Sequence, residues 1–311
     1  MRTARVTLSL LAAGILLLPL TACSSDTSSS SESTGELAGA TISVGSKEFT
    51  ESIILGMITS LALENAGAEI IDKTGVSGTS TVRAALESGE MDLYWDYTGT
   101  GWVNILGHTP DNIPDDLYAA VSTEDLEENG IVWLEPAPFE NAYAIAAKTE
   151  FMEENGVYTL SDAAEYIRAN PAEGSICAAS EFLNRDDGLP GLEAAYEIEF
   201  PDVLEMDFNL VYTQVGESCT FTETTTTDGR NVSSGLSVLE DDRGFFVEYR
   251  GAVTLRQDVL DEHPAIKDIL DEISARLTND VMMSLNSRVD VDGETPADVA
   301  EDWLTTEGLI G

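Results

Sequence analysis

Twice in the first part of the chain a short apolar run and a helix candidate meet across a polar loop, and this alternation limits the fold more than any other feature. "ATISVG" has the length and composition of a strand, and "ESIILGMITSLALENAG" places Ile53, Ile54, Met57, Ile58 and Leu61 on one helical face, with Thr50 as N-cap and Gly67 as terminator. "STVRAALESG" then reads as a helix ending at Gly89, and "EMDLYWDY" as a strand that exits into "TGTG". Such units predict an α/β fold with a parallel sheet and helices on its faces. The loop "SKEFT" lies at the carboxyl end of one strand and the amino end of the next helix, where open α/β sheets bind ligands. A third polar strand boundary occurs at "NAYAIAAK", where small and apolar residues follow Asn141.

Further on, "SDAAEYIRANP" and "GLEAAYEI" carry helix signals, and "LSVLEDDRGFFVEY" reads as two strands around a tight "DDRG" turn. Near the end, Ile266, Ile269, Leu270, Ile273 and Leu277 form an apolar stripe behind Pro264, and "ETPADVAEDWLTTEG" reads as a capped helix. The 311 residues suffice for two domains or one large one.

The start of the chain has a different character. "MRTARVTLSLLAAGILLLPLTAC" sets two arginines before an apolar stretch and small residues, the pattern of a secretory signal peptide over residues 1–22. Its "LTAC" ending resembles a bacterial lipobox, which implies cleavage before Cys23 and lipidation of that thiol. The Ser-rich stretch that follows has little to bury, so residues 23–39 are expected to be a flexible tether. Lipid and tether together predict a protein anchored at the extracytoplasmic face of a bacterial membrane. With Cys23 lipidated, Cys177 and Cys219 remain as a disulfide candidate in an oxidising compartment; two isolated buried thiols are the alternative.

Several chemistries are poorly supplied. With 57 acidic against 15 basic residues the formal net charge is −42, a surface that repels nucleic-acid backbones and stays solvated in concentrated salt. Only His108 and His263 are available, too few for a histidine metal cluster, and both read as surface residues. There is no G-x-S-x-G elbow, P-loop or H-E-x-x-H, and "GTGWVN" lacks the third glycine of a dinucleotide fingerprint. Acidic pairs are so abundant that they carry no information about glycoside hydrolysis. No enzyme activity, metal or cofactor is therefore expected.

"VGSKEFTESIILG", "GTSTVRAALESGEMDLYWDYTGTG", "FLNRDDGLPGLEAAY", "TTDGR" and "VLEDDRGFFVEY", occurring in this order, resemble the substrate-binding proteins of osmoprotectant ABC importers. These are the glycine betaine/choline-binding proteins of the type II periplasmic-binding-protein fold. The resemblance implies two α/β lobes joined by two hinge crossovers, with the ligand cleft between them and a separate permease and ATPase as partners. It places residues 40–143 and 249–311 in lobe 1 and 144–248 in lobe 2.

A betaine presents a quaternary ammonium, which suits aromatic faces, and a carboxylate, which needs cations and hydroxyls. Carried over residue by residue, the family pattern assigns the ammonium cage to Tyr97, Tyr143 and Tyr249. A fourth cage aromatic falls on Thr225, a departure that removes one wall unless Phe221 or a shifted loop replaces it. The carboxylate contacts fall on Lys47, Thr100 and Arg185. Retention of both cations favours a zwitterion such as glycine betaine over choline. Choline, carnitine or ectoine remain alternatives on the same fold, as do, from other classes, an extracellular hydrolase and a structural lipoprotein. A monomer is expected.

Overall fold

The computed structural model describes residues 35–110 and 112–311. Cys23, the 1–22 leader and residues 23–34 of the expected tether lie outside these. Residues 35–39, expected to belong to the tether, are instead packed: Leu37 is buried in a core and its N–H donates to Ala66 O at 2.9 Å.

In chain order the strands are β1 (Thr41–Lys47), β2 (Glu69–Val76), β3 (Leu93–Tyr97), β4 (Ile131–Trp133), β5 (Tyr143–Lys148), β6 (Ser175–Ala178), β7 (Asp202–Glu205), β8 (Phe221–Thr225), β9 (Leu236–Val238) and β10 (Gly251–Arg256). They form two five-stranded sheets, ordered β2-β1-β3-β10-β4 and β7-β6-β8-β5-β9. The expectation of a parallel sheet holds only in part. β1 runs parallel to β2 and β3, and β6 runs parallel to β7 and β8, but β10 and β5 are each antiparallel to both of their neighbours. Each antiparallel strand is the first one the chain enters after crossing from the other sheet.

The two crossing segments run beside one another. Glu140 and Arg250 form an antiparallel bridge, Asn141 N–H donates to Tyr249 O at 3.0 Å, and Ala137 N–H donates to Gly251 O at 2.8 Å. A pair of strands tied in this way resists splaying while permitting rotation about its length. "LSVLEDDRGFFVEY" therefore forms no hairpin. Only Leu236–Val238 is a strand, and the remainder is held by Asp241, which accepts the Phe246 N–H at 2.8 Å and the Tyr196 hydroxyl.

Both sheets are buried on both faces, which hides the usual polar–apolar alternation. In β3, Leu93, Trp95 and Tyr97 join one apolar core while Tyr94 joins the core on the opposite face. The "TGTG" segment is not a turn: Thr98–Thr100 is already helical and Gly101–Ile105 continues as a π-type turn. A side chain at Gly99 would collide with Val247 and the Tyr249 ring, so this glycine is dictated by close packing against the second crossover.

The Thr50–Asn65 helix begins behind Phe49 without a side-chain cap; the Thr50 hydroxyl instead donates to Asp290 at 2.6 Å, so Thr50 is not the N-cap. Of the expected face only Ile54 and Ile58 are fully buried, with Ile53, Met57 and Leu61 half-buried, while Leu55, Ala62 and Leu63 are buried as well, because the C-terminal helices pack on this helix. Cys177 and Cys219 are joined as a disulfide, 42 residues apart, within an apolar cluster on one face of the second sheet. Deleting it as a Cys177→Ala/Cys219→Ala pair is expected to lower unfolding free energy by about 4 kcal/mol through loop entropy. Ligand affinity should stay within about threefold, since the bridge lies inside one sheet's own packing; urea unfolding and calorimetry check both.

Candidate functional site

Strand ends of the two sheets face each other where the crossovers pair, and a cavity of about 120 Å³ lies there. Lys47, Tyr97, Thr100, Tyr143, Arg185, Thr225 and Tyr249 all line it. Its volume is well below the roughly 300–1,000 Å³ of drug-sized pockets, which suits a solute of few heavy atoms.

β1 delivers Lys47 at its carboxyl end and β3 delivers Tyr97. Lys47 is buried, and its Nζ lies 2.8 Å from Asp96 Oδ1 and 5.6 Å from the centre of the Tyr97 ring. Asp96 also accepts the Tyr94 hydroxyl at 2.6 Å and the Tyr97 N–H at 2.8 Å, so the lysine's counter-ion is rigidly held. Thr100 is buried on the helical turn that follows.

The second sheet and the crossovers supply the rest. Tyr143 and Tyr249, one at the end of each crossover, meet edge to face with centroids 5.5 Å apart. The Arg185 guanidinium carbon sits 5.3 Å from the Tyr143 ring centre and 5.9 Å from that of Tyr249. Its Nε and Nη2 form a fork to Asp187 at 2.7 and 2.6 Å, and Nη1 reaches Glu181 Oε1 at 2.9 Å. Tyr249 OH donates to the same Asp187. Of the two aspartates that follow Arg185 in "NRDDG", buried Asp187 pairs with it and Asp186 is exposed.

Thr225 ends β8 directly opposite Tyr143. Phe221 does not replace the missing ring: it is fully buried in the core of the second sheet, against Phe151 and Phe200. Two other aromatics do line the cavity, half-buried Phe49 and Phe208. Both were missed from the sequence. Phe49 was legible as the aromatic inside "SKEFT", at the very strand exit where a ligand was expected. Phe208 comes from the Phe208–Gln214 helix, which nothing in the local sequence connects to the other rings.

Two buried carboxylates complete the surroundings. Glu51, in the first turn of the Thr50–Asn65 helix, accepts from Tyr97 OH at 2.8 Å, Asn141 Nδ2 at 2.7 Å, Thr227 Oγ1 at 2.6 Å and Asn286 Nδ2 at 3.0 Å. Burial raises its carboxyl above the ordinary value, opposed by the bonds from Thr227, Asn286 and Tyr97. Glu51 links a cavity ring to the first crossover, to the loop after β8 and to a C-terminal helix.

Glu223, on β8, is the second. Burial pushes it up to about 8 from its ordinary 4.5, against the Ala179 N–H; Glu181 pushes it further up and Arg185 pulls it down. Between those two values the folded protein holds a proton that the unfolded chain has released, so stability falls as pH rises from about 4.5 and the penalty is complete above about 8. Glu223→Gln is accordingly expected to be more stable than the parent at pH 9 by on the order of 2 kcal/mol or more, and no more stable at pH 4. Urea unfolding at the two pH values checks this.

Comparison with known proteins agrees with this architecture. Residues 40–306 match the family model described as the substrate-binding domain of the ABC-type glycine betaine transport system. The chain is 36% identical over 282 residues to the glycine-betaine-binding protein of Pseudomonas aeruginosa, covering 87% of this chain and 89% of that one. It is 31% identical over 268 residues to the ergothioneine transport permease/ergothioneine binding protein of Helicobacter pylori, covering 86% of this chain and 47% of that protein. Among solved structures it is similar to apo YehZ of Escherichia coli, with a TM-score of 0.63, 30% identity, and coverage of 88% of this chain and all of that one. A cleft of rings and cations between two sheets, on a chain matched from end to end of its folded part, has one reading: the protein belongs to the substrate-binding proteins of ABC-type glycine betaine transport systems.

Proposed function

We propose that this protein captures glycine betaine or a closely related quaternary-ammonium solute in the cavity between its two lobes and delivers it to an ABC permease. Family membership makes it an extracytoplasmic solute-binding component rather than an enzyme, which sets aside the hydrolase alternative. The observation that carries the ligand assignment is the convergence of Tyr97, Tyr143 and Tyr249 with Lys47 and Arg185 on one small cavity. Rings on that wall would hold the ammonium, each contributing roughly 0.5–2 kcal/mol, while Lys47, Thr100 and Arg185 would take the carboxylate. Phe208 would stand in for the ring absent at Thr225. Phe208→Ala is expected to weaken betaine binding by about three- to thirtyfold, with Phe221→Leu having no such effect.

Capture would follow hinge closure about the paired crossovers, with residues 40–143 and 249–311 moving against 144–248. Thr79 of the first lobe already donates to Glu181 of the second at 2.6 Å, a contact that closure would retain. A lipid on Cys23 would tether a monomer at the membrane face.

Calorimetric titration with glycine betaine, proline betaine, choline, carnitine and ectoine tests the assignment. Micromolar or tighter binding of a carboxylate-bearing betaine is expected. Heat from choline alone would remove the carboxylate subsite, and no heat or melting shift with any of the five would leave the fold and sink the ligand class.

A further inference from the structure

Glycine betaine consists of a quaternary nitrogen and a carboxylate, so it accepts hydrogen bonds and donates none. The cavity's unused polar groups can be set against that. On the donor side, the Lys47 ammonium has one of its three N–H groups on Asp96, and Thr100 offers a hydroxyl. A ligand carboxylate would use these. On the acceptor side, Glu48 takes the Ser77 hydroxyl and the Gly78 N–H, and Glu181 Oε1 takes Thr79 and Arg185.

Two buried side chains in the wall, Glu223 and Asn141, each keep an oxygen that no donor among the described residues reaches. Ala179 N–H reaches Glu223 Oε2 at 2.7 Å and fixes the carboxyl, and no other donor among the described residues reaches it; the side chain is 2% exposed. Asn141 is 8% exposed, its Nδ2 is fixed on Glu51, and its Oδ1 has no partner. Both residues line the same cavity as the tyrosines and cations. A buried acceptor left without a donor, as Asn141 Oδ1 is, costs about 1–3 kcal/mol, and the second Glu223 oxygen faces the cavity beside it, so the wall favours a ligand that supplies donors.

We propose that Glu223, with Asn141 beside it, is a specificity-determining acceptor that reads a hydrogen-bond donor on the ligand, so that the preferred solute is a methylated-ammonium carboxylate carrying a hydroxyl or N–H group. This rests on the betaine-type reading of the cavity and narrows it. The charged and titratable groups facing Glu223 are Glu181, Arg185 and Tyr143. They include one cation, Arg185, which is already forked to Asp187, so the second oxygen of Glu223 has no fixed counter-charge. Burial raises this carboxyl to about 8, so near neutral pH in the ligand-free protein its cavity-facing oxygen carries a proton, which a ligand donor displaces before that oxygen can accept. A donor or cationic edge placed against it favours the ionised form, and binding of such a ligand at pH 7 then releases a proton.

The test uses ligand pairs that differ in one donor: N,N-dimethylglycine against glycine betaine, which differ by an N–H in place of a methyl, and carnitine against γ-butyrobetaine, which differ by a hydroxyl. Each is titrated calorimetrically into the parent protein and into Glu223→Gln, in two buffers of different ionisation enthalpy. The glutamine keeps an acceptor for Ala179 and turns an NH₂ group toward the cavity. The expected result is that at least one donor-bearing ligand loses tenfold or more in affinity in Glu223→Gln while its donor-free partner changes less than threefold, and that its binding to the parent releases protons. Equal changes within both pairs, or proton uptake on binding, would overturn the inference and leave the betaine reading intact. No binding by any of the four would overturn both. Should Glu223→Gln fail to fold, the parent's titrations in the two buffers carry the test alone, with proton release on binding the donor-bearing member of a pair expected, and no release or an uptake contradicting it.

Discussion

Glu51→Ala is expected to be the most damaging single substitution in this protein, destabilising it by about 3–5 kcal/mol and weakening betaine binding at least a hundredfold. Its carboxylate takes one donor each from Tyr97, Asn141, Thr227 and Asn286. Only the Asn286 amide has a second acceptor, Thr227 O at 3.0 Å. Truncation strands the others in a site from which water is excluded, at about 1–3 kcal/mol per group. It also frees the Tyr97 ring and unties the loop after β8 from the first lobe. Urea unfolding and titration separate the two effects. A Glu51→Gln variant that recovers most of the stability but little of the affinity would place the charge, rather than the shape, at the centre of the linkage.

Arg185→Ala is expected to reduce affinity for glycine betaine by more than tenfold while changing choline binding by less than threefold. Choline has no carboxylate to lose a partner. The structure adds a cost that the ligand does not see: Asp187 loses a fork of two hydrogen bonds in a buried setting, and leaving a charge unpaired there costs about 3–5 kcal/mol of stability. Arg185→Lys keeps the charge but not the planar fork, so it should retain more stability than alanine while still binding betaine several-fold more weakly. Equal affinity of Arg185→Ala and parent for betaine would remove Arg185 from the carboxylate subsite.

How much of this was legible beforehand depended on whether the determinant was local. Strand β3, the helix ending at Gly89 and the strand after Asn141 follow from apolar runs and their terminators, which are properties of a few neighbouring residues. The antiparallel direction of β5 and β10 was not legible, because it is set by where the chain returns from the other sheet. The "DDRG" segment misled for a related reason. Its turn composition is real, but Asp241 spends its oxygens on Phe246 and Tyr196 and leaves no ladder for a second strand.

The same division holds at the cavity. Motif likeness identified seven residues that line one cavity, including the departure at Thr225. It could not show that the Lys47 charge is already held by an aspartate, since Asp96 lies 49 positions away, whereas a pairing of Arg185 with Asp186 or Asp187 is readable in "NRDDG" itself. Nor could an excess of 57 acids point to Glu51 and Glu223, whose roles come from burial alone.

The most direct measurement is a crystal structure of the protein with glycine betaine bound. The ammonium nitrogen should lie within about 6 Å of the ring centres of Tyr97, Tyr143 and Tyr249, with the carboxylate within hydrogen-bonding distance of Lys47, Thr100 or Arg185. Betaine bound outside this cavity, or bound within it with its carboxylate against the rings and its ammonium toward Lys47, would contradict the assignment.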